Sequence, residues 1–464
     1  MIKPRVSEPA MQPEWLRHEI AVIGLGKSGS SVATLLVRTG NLVYASDASR
    51  TPELERIGAA LEREGVDVGL GKHDVTRVAR SSLVVVSPGV PPDIPAIAAA
   101  TQAGVDVVSE VEIALRFMPN TKYIAVTGTN GKTTTTAIVA HLLRALEHRA
   151  VAAGNIGTPL SALALEPEPA PWVALELSSY QLHCTPSVRP VVGVLTNLSP
   201  NHLDRYPDVD AYYGDKRLLF RNAGSASNWV ANADDAAAMA MMADAAGIRT
   251  GFSTAGRSDA HYDRVAGQLV VLGARLIRRE EFKLLGDHNV ANALCATLAV
   301  MLASPDHRTD DASRILADGL RSFRALEHRI EIAADHDGVV WINDSKSTNV
   351  ASTLVALRAM TRPTVLLAGG RHKGASYAAL EPELRRTVKA VVAYGEAAPE
   401  ITRDLKGIVT VEQGGSTFAD VVERARRRAA RGDAVLLSPA CSSFDMFANY
   451  EARGSEFKRL VAAL

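Results

Sequence analysis

Short apolar runs ending in small or acidic residues alternate along this chain with segments of helical periodicity. From Glu19 the text reads EIAVIGLGKSG and then SSVATLLVRTG: a buried strand, a glycine turn and an amphipathic helix. NLVYASD, LVVVSPG and VDVVSE follow as further strands of the same block. The pattern restarts at KYIAVTGTNGKT, with WVALELSS and VVGVLTNLSP behind it. It restarts again at VVWINDSKSTN, continued by TVLLAGGRHKG, AVVAYGE and AVLLSPACSS. Apolar strands separated by helices predict mostly parallel sheets covered by those helices. The expected fold class is α/β in three consecutive domains, 1–111, 112–325 and 326–464. The Ala-rich stretch 231–247 reads as helical scaffold.

Length and charge narrow the classes. The 464 residues fit about two to four domains. With 51 Lys+Arg against 51 Asp+Glu the formal charge is zero, which argues against a dedicated nucleic-acid binder. Three dispersed cysteines, Cys184, Cys295 and Cys441, make neither a disulfide framework nor a CxxC site, and HExxH is also missing, so zinc is not expected. The opening MIKPRVSEPAMQPEW lacks a signal-like apolar core and no run is long enough for a membrane span. A cytoplasmic, reduced, monomeric protein is the expectation.

Polar residues gather where strands end: Asn343-Asp344-Ser345-Lys346, Gly369-Gly370-Arg371 and Ser438-Pro439 in the third block. In open α/β sheets such positions bind ligands. Capping also explains Gly, Asp and Ser there, but not Lys346, Arg371 and Lys373 beside them.

The strongest motif is Gly128-Thr129-Asn130-Gly131-Lys132-Thr133, after an apolar strand and before the helix TTTTAIVAHLLRAL. Glycines there let backbone N–H groups converge on phosphate oxygens at a helix N-terminus. Lys132 would reach the β- and γ-phosphates of ATP and Thr133 would bind Mg²⁺. The spacing departs from G-x4-GK-[ST], since Val126 stands at the first glycine. Gly24-Leu25-Gly26-Lys27-Ser28-Gly29, with Asp47 ending the next strand, fits the dinucleotide fingerprint. A nicotinamide dehydrogenase would use that turn but leave GTNGKT and NDSKSTN unexplained; a non-catalytic nucleotide binder is the other rival. Glu176 and His202, at neighbouring strand ends, could complete Mg²⁺ coordination. Asn289 and Asn292 share a helical face suited to a purine or ribose, or to a helix contact. Arg329 is a candidate for phosphate charge, Lys216 reads as a solvated helix lysine, and RARRRAARGD (424–433) as a solvated helix face.

TGTNGKTTTT, ALELSSYQL, NLSPNHLDRYP, GDHNVANA, EHRIE, NDSKSTN and SPACSSFDMF occur in the order found in Mur ligases, which the chain closely resembles over almost its whole length. These are ATP-dependent amino-acid-adding enzymes of peptidoglycan precursor synthesis. The LSSYQL, NHLDRYP, NDSKSTN and SPACSSFD combination is similar to the branch that adds D-glutamate to UDP-N-acetylmuramoyl-L-alanine. The DNP-type motif of the diamino-acid branch is missing.

The resemblance implies a Rossmann-like first domain, a central P-loop ATPase-like domain and a Rossmann-like last domain. It implies that Gly26, Lys27, Ser28 and Asp47 hold the UDP part of the substrate, with Asn155, Ser178 and Gln181 facing the muramoyl-alanine part. Gly128, Thr129, Asn130, Gly131, Lys132, Thr133 and Thr134 would bind ATP phosphates, with Asn289, Arg329 and Asp344 around the nucleotide. Thr133, Glu176, His202 and Lys216 would hold two Mg²⁺ ions, Lys216 as a CO₂-derived carbamate, which replaces the bland reading of that lysine. Lys132, His202 and Lys216 would be the catalytic set. Lys346, Thr348, Lys373, Ser443 and Tyr450 would surround glutamate; Tyr450 departs from the phenylalanine common there. The Ser442–Ser443 turn is expected to open the final helix and offer N–H donors to a glutamate carboxylate.

Overall fold

A computed structural model describes residues 18–201 and 205–464. The opening MIKPRVSEPAMQPEW lies outside them. The first sheet holds β1 (Ile20–Ile23), β2 (Val43–Asp47), β3 (Asp67–Leu70), β4 (Leu83–Val86) and β5 (Val107–Ser109). All are parallel, in the order β3-β2-β1-β4-β5. β1 and β4 are buried almost throughout because helices cover both faces. The order reverses between β1 and β4, which makes the carboxyl ends of these two strands the natural crevice.

The second sheet runs β14-β13-β12-β11-β10-β9-β6-β8-β7. Its strands are β6 (Lys122–Thr127), β7 (Ala150–Gly154), β8 (Trp172–Glu176), β9 (Val192–Leu195), β10 (Asn228–Asn232), β11 (Ile248–Ser253), β12 (Ala260–Asp263), β13 (Gln268–Val271) and β14 (Ala274–Arg278). Everything from β7 to β12 is parallel, and β12-β13-β14 close one edge as an antiparallel meander. β6 lies between β9 and β8, so three polar loops leave adjacent strand ends. The helix Lys132–Ala145 buries Ile138, Val139, Leu142 and Leu143, roughly 1.5–3 kcal/mol of transfer energy each, and so holds the phosphate turn at its N-terminus in place. The Ala-rich stretch differs from expectation: Ala231 and Asn232 belong to β10, only Ala236–Met242 is helical, and Gly247 ends the segment at φ +108°. Strand pairing with β9 and β11 overrides helical propensity there.

The third sheet runs β15-β16-β20-β17-β18-β19, from β15 (Glu331–His336), β16 (Val339–Asn343), β17 (Thr364–Gly369), β18 (Val388–Tyr394), β19 (Val411–Gln413) and β20 (Ala434–Leu437). Only the β15–β16 hairpin is antiparallel. β16, β20 and β17 are neighbours, so the loops NDSK, SPAC and GGRHK emerge side by side. By compactness the chain forms two units, one carrying the first two sheets and the other carrying the third with residues 279–290. In the first unit the helix Glu110–Phe117 serves two cores, Ile113 packing with the first sheet and Val111 and Ala114 with the second.

Candidate active site

The glycine turn after β1 sits in the crevice that the strand order creates. Gly24 adopts φ +88°, where an added Cβ would strike Val90, and a Cβ on Gly29 would run into the Gly24 carbonyl. Gly26 faces open space, which leaves the backbone at the start of helix Lys27–Arg38 approachable by phosphate. The Ser87 hydroxyl, just past β4, donates to the Gly24 carbonyl at 2.8 Å. Asp47 accepts the N–H of Leu25 and of Ser49, each at 2.9 Å. Its visible task is holding the turn. Lys27 is exposed and Ser28 half-buried at the helix start.

The phosphate loop follows β6. Gly128 (φ +140°) and Gly131 (φ +80°) are both required: a Cβ would meet Thr196 Oγ1 at 2.0 Å and Asn292 Oδ1 at 2.4 Å respectively. The loop is stitched to the end of β9, where the Thr129 and Asn130 N–H groups donate to Asn197 O and Oδ1, both at 2.9 Å. Thr196 Oγ1 donates to Asn130 O at 2.6 Å. Lys132 opens the helix, and its Nζ donates to Gly128 O (3.0 Å) and Thr129 O (2.8 Å), folding the ammonium over its own loop. Thr133 and Thr134 are half-buried in the first helical turn beside it.

Lys216 is not the solvated lysine of the first reading. It lies in helix Val209–Arg217, 1% exposed, with Nζ donating to Gly128 O at 2.8 Å and lying 4.6 Å from the Tyr212 ring centre. Burial, and then the nearby Lys132 ammonium, hold its amine well below the usual lysine range. The two lysines therefore share one carbonyl oxygen. Glu176, ending β8, is 1% exposed. Its Oε1 accepts from Asn155 Nδ2 at 3.0 Å, and its Oε2 has no hydrogen-bond partner among the described residues. A buried carboxylate oxygen left this way suits a hard cation. Among the described residues no cluster of three His, Cys, Asp or Glu side chains is placed to hold a metal, so Mg²⁺ would depend on Glu176, hydroxyl and phosphate oxygens and a modified Lys216. His202 lies outside the described residues.

Three residues expected on the muramoyl side have protein partners. Asn155 braces Glu176 through both its side chain and its backbone N–H. Ser178 and Gln181 form a capping box on helix Ser179–His183: the Ser178 N–H donates to Gln181 Oε1 at 3.0 Å and the Gln181 N–H to Ser178 Oγ at 3.2 Å. The spacing S-x-x-Q is the signature that would have shown this. Asn292 takes the Thr135 hydroxyl at 3.3 Å and serves the phosphate-loop helix.

In the unit with the third sheet, Asn289 donates to Leu285 O at 2.8 Å. Asp344 is 4% exposed and accepts the Ile330 N–H (3.3 Å) and the Ser438 hydroxyl (2.8 Å); burial pushes its carboxyl up to about 6. It thus fixes the segment bearing Arg329, whose neighbours His328 and Ile330 both have positive φ. Lys346, Thr348, Lys373 and Tyr450 come together: Lys346 Nζ donates to the Tyr450 hydroxyl at 2.8 Å and lies 4.3 Å from its ring centre, and Lys373 Nζ lies 3.4 Å from Thr348 Oγ1. Burial pushes the Tyr450 phenol up to about 12.

Ser443 is buried, but the Ser442–Ser443 turn does not open the final helix. That helix is Tyr450–Ala462, capped by the Asn449 side chain, which accepts the Ala452 N–H at 2.7 Å. The turn instead pairs with Arg371, Arg371 N–H to Ser442 O at 2.9 Å and Ser442 N–H to Arg371 O at 3.2 Å. Asn449 is a better N-cap than the serine pair because its extended backbone lies directly at the first helical residue. Arg453 was not singled out from sequence. Fully buried, it donates through Nε to Ser345 Oγ (2.9 Å), through Nη2 to Ser345 O (2.8 Å) and through Nη1 to Cys441 O (3.2 Å), tying two site loops together. Its signal was a cation in register with Phe457 and Val461 on the buried helix face.

Residues 18–109, 126–300 and 328–441 match in turn the models for the Mur ligase MurD-like N-terminal domain, the Mur ligase middle domain and the Mur ligase glutamate ligase domain. The chain belongs to the Mur ligase family. This Mur ligase is 41% identical over 455 residues to the UDP-N-acetylmuramoylalanine–D-glutamate ligase of Myxococcus xanthus, covering 96% of this chain and 98% of the relative. It is 38% identical to the enzyme of that name from Salinibacter ruber, over 98% and 100% of the two chains. Among solved structures, MurF from Acinetobacter baumannii superposes with a TM-score of 0.58 at 17% identity, over 96% and 93% of the chains. A pseudomurein peptide ligase type C from Methanothermus fervidus gives 0.58 at 17%, over 96% and 100%. These two likenesses show the three-domain Mur ligase fold alone.

Proposed function

We propose that this Mur ligase joins D-glutamate to UDP-N-acetylmuramoyl-L-alanine in peptidoglycan precursor synthesis, with ATP converted to ADP and phosphate. The observation that carries this is full-length identity of 36–41% to enzymes of that name, with all three domains present. The geometry supports it: the buried Lys216 amine bonds the phosphate loop with the buried Glu176 nearby, and in the unit with the third sheet Lys346 meets Tyr450 while Lys373 meets Thr348.

Joining a carboxylate to an amine in water needs the carboxylate activated first. The alanine carboxylate attacks the γ-phosphate, giving an acyl phosphate and ADP; the glutamate amine attacks the acyl carbon, and phosphate leaves from the tetrahedral intermediate. The protein positions the groups and neutralises the transferring phosphoryl charge. Lys132 takes phosphate oxygens once it leaves Gly128 O and Thr129 O. Its neighbours Gly128, Thr129, Asn130, Gly131, Thr133 and Thr134 would frame the phosphates, and the family resemblance assigns Asn289, Arg329 and Asp344 to the nucleotide. Burial lowers the Lys216 pKa well below the usual lysine range, which favours the unprotonated amine that attacks CO₂; the N–C bond forms, the proton leaves and an anionic carbamate results. Thr133, Glu176, His202 and that carbamate would hold Mg²⁺, which when bound neutralises phosphate charge. Gly26, Lys27, Ser28 and Asp47 frame the UDP moiety, with Asn155, Ser178 and Gln181 setting the shape of the muramoyl side. Lys346 and Lys373 receive the two carboxylates of glutamate, beside Thr348, Ser443 and Tyr450. Domain 1–111 supplies Gly26, Lys27, Ser28 and Asp47; domain 112–325 the phosphate loop, Asn155, Ser178, Gln181, Asn289 and the metal-holding residues; and domain 326–464 Arg329, Asp344 and the glutamate residues. The enzyme works as a monomer in the cytoplasm on small molecules; among the described residues no helix is long and apolar enough to cross a membrane.

Phosphate release from ATP with UDP-N-acetylmuramoyl-L-alanine, adding D-glutamate, L-glutamate, L-alanine or diaminopimelate in turn, tests the reading. Release that needs both the UDP-substrate and D-glutamate supports it. Dependence on another amino acid would move the specificity, and release with none would sink the ligase.

A further inference from the structure

Behind the loops that carry Lys373 and Ser443, three side chains form a chain that the reaction described above does not use. Tyr377 opens a short turn, Tyr377–Leu380, and is 1% exposed, its ring packed in the core with Leu380 and Leu384. Its backbone is anchored as well, the Tyr377 N–H donating to Asp404 Oδ2 at 3.1 Å. Its hydroxyl lies 2.9 Å from Cys441 Sγ on one side and 2.9 Å from His372 Nδ1 on the other. His372 immediately precedes Lys373, and Cys441 lies two residues before Ser443.

Burial pushes the Cys441 thiol up to about 11, so it keeps its proton at neutral pH. Thiol, phenol and imidazole can each donate or accept, so both contacts of the hydroxyl can be hydrogen bonds at once. The two loops already meet through the paired backbone bonds of Arg371 and Ser442, and a Cβ at Gly370 would strike Ser442 O. Gly369 N–H on Pro439 O (2.9 Å), the Ser442 hydroxyl on Arg371 O (3.2 Å) and the Arg371–Glu396 pair hold the same stretch as far as Arg371. The phenol carries the attachment one residue further, to His372 beside Lys373, and roots it in the core.

We propose that Tyr377 is a positioning residue for the amino-acid pocket, its hydroxyl fastening His372 and Cys441 so that Lys373 and Ser443 are held in fixed relation for the incoming carboxylates. This rests on the reading that Lys373 belongs to that pocket. Tyr377 touches neither substrate nor ATP. It sets where Lys373 starts from, and the entropy of ordering that lysine is lost in folding rather than in binding.

The test is steady-state kinetics of Tyr377→Phe, which keeps the ring and removes the hydroxyl. The KM for D-glutamate is expected to rise about three- to tenfold, the size of one or two ordinary hydrogen bonds. The kcat and the KM values for ATP and the UDP-substrate stay within about twofold. His372→Ala should give the same rise, His372→Asn should recover part of it by keeping a hydrogen-bonding group near Nδ1, and Tyr377→Phe with His372→Ala should be no worse than either alone. An unchanged glutamate KM in Tyr377→Phe overturns the proposal, as does a rise shared by all three substrates, which would mark a general folding defect. Lys373→Met separates the two levels. If it leaves the glutamate KM unchanged, the pocket assignment is what fails; if it raises that KM while Tyr377→Phe does not, only the positioning role fails.

Discussion

Replacing Arg453 by methionine tests the claim that one buried guanidinium joins the loop after β16 to the loop after β20. Methionine keeps most of the aliphatic stem but none of the donors. Ser345 O and Cys441 O would each lose a buried donor, as would the Ser345 hydroxyl. A buried carbonyl left unsatisfied costs about 1–3 kcal/mol, so the two carbonyls give about 2–6 kcal/mol. No carboxylate pairs with Arg453 among the described residues, so removing the charge recovers some desolvation energy and favours the lower half of that range. At about 2–4 °C per kcal/mol for a unit of this size, a loss of about 3 kcal/mol lowers Tm by about 6–12 °C. Scanning calorimetry of the full chain reads it. Arg453→Lys should fall between the two, since one ammonium cannot span both carbonyls. A shift below about 2 °C in Arg453→Met would refute the bridging role.

Further outcomes follow from the same geometry. Lys216→Ala should lower kcat by about 10²-fold or more, and wild-type enzyme stripped of CO₂ should lose activity and regain it with bicarbonate; full activity in the stripped enzyme would contradict the carbamate. Gly131→Ala should weaken ATP binding by about tenfold or more, since a Cβ at φ +80° would collide with Asn292 Oδ1; equilibrium binding of an ATP analogue checks it. Asp344 has a raised folded pKa, so its protonated form favours the fold: the stability it contributes is complete below about pH 4 and is lost as pH rises through about 6. With a shift of about 2 units, roughly 3 kcal/mol is at stake, and Asp344→Asn should flatten the Tm-against-pH curve between those values. An unchanged curve would show that Asp344 ionises freely.

The elements with strong local signals were legible in the chain itself. Gly24, Gly29, Gly128 and Gly131 sit where backbone geometry admits nothing larger, and the apolar strands preceding them could only be buried parallel strands. Lys346 and Tyr450, more than a hundred residues apart, meet because β16 and the final helix carry them to one place, and only the family resemblance joined them beforehand. Residues that act through a neighbour were harder. Asn155, Ser178 and Gln181 are placed on the muramoyl side only by the resemblance, and their bonds within the fold, bracing Glu176 and capping a helix, show only in the structure. Lys216 looked solvated because helix Val209–Arg217 has too few apolar residues to announce which face is buried. The Ser442–Ser443 turn was misread because serine before a helical stretch is a capping signal, and Asn449 carries a better one.

The most direct test of the account follows oxygen-18 from the alanyl carboxylate of UDP-N-acetylmuramoyl-L-alanine during turnover with ATP and D-glutamate. Activation by phosphorylation predicts one labelled oxygen in each phosphate released, in step with formation of the glutamyl amide. Unlabelled phosphate, or label transfer without any D-glutamate-dependent product, would contradict it.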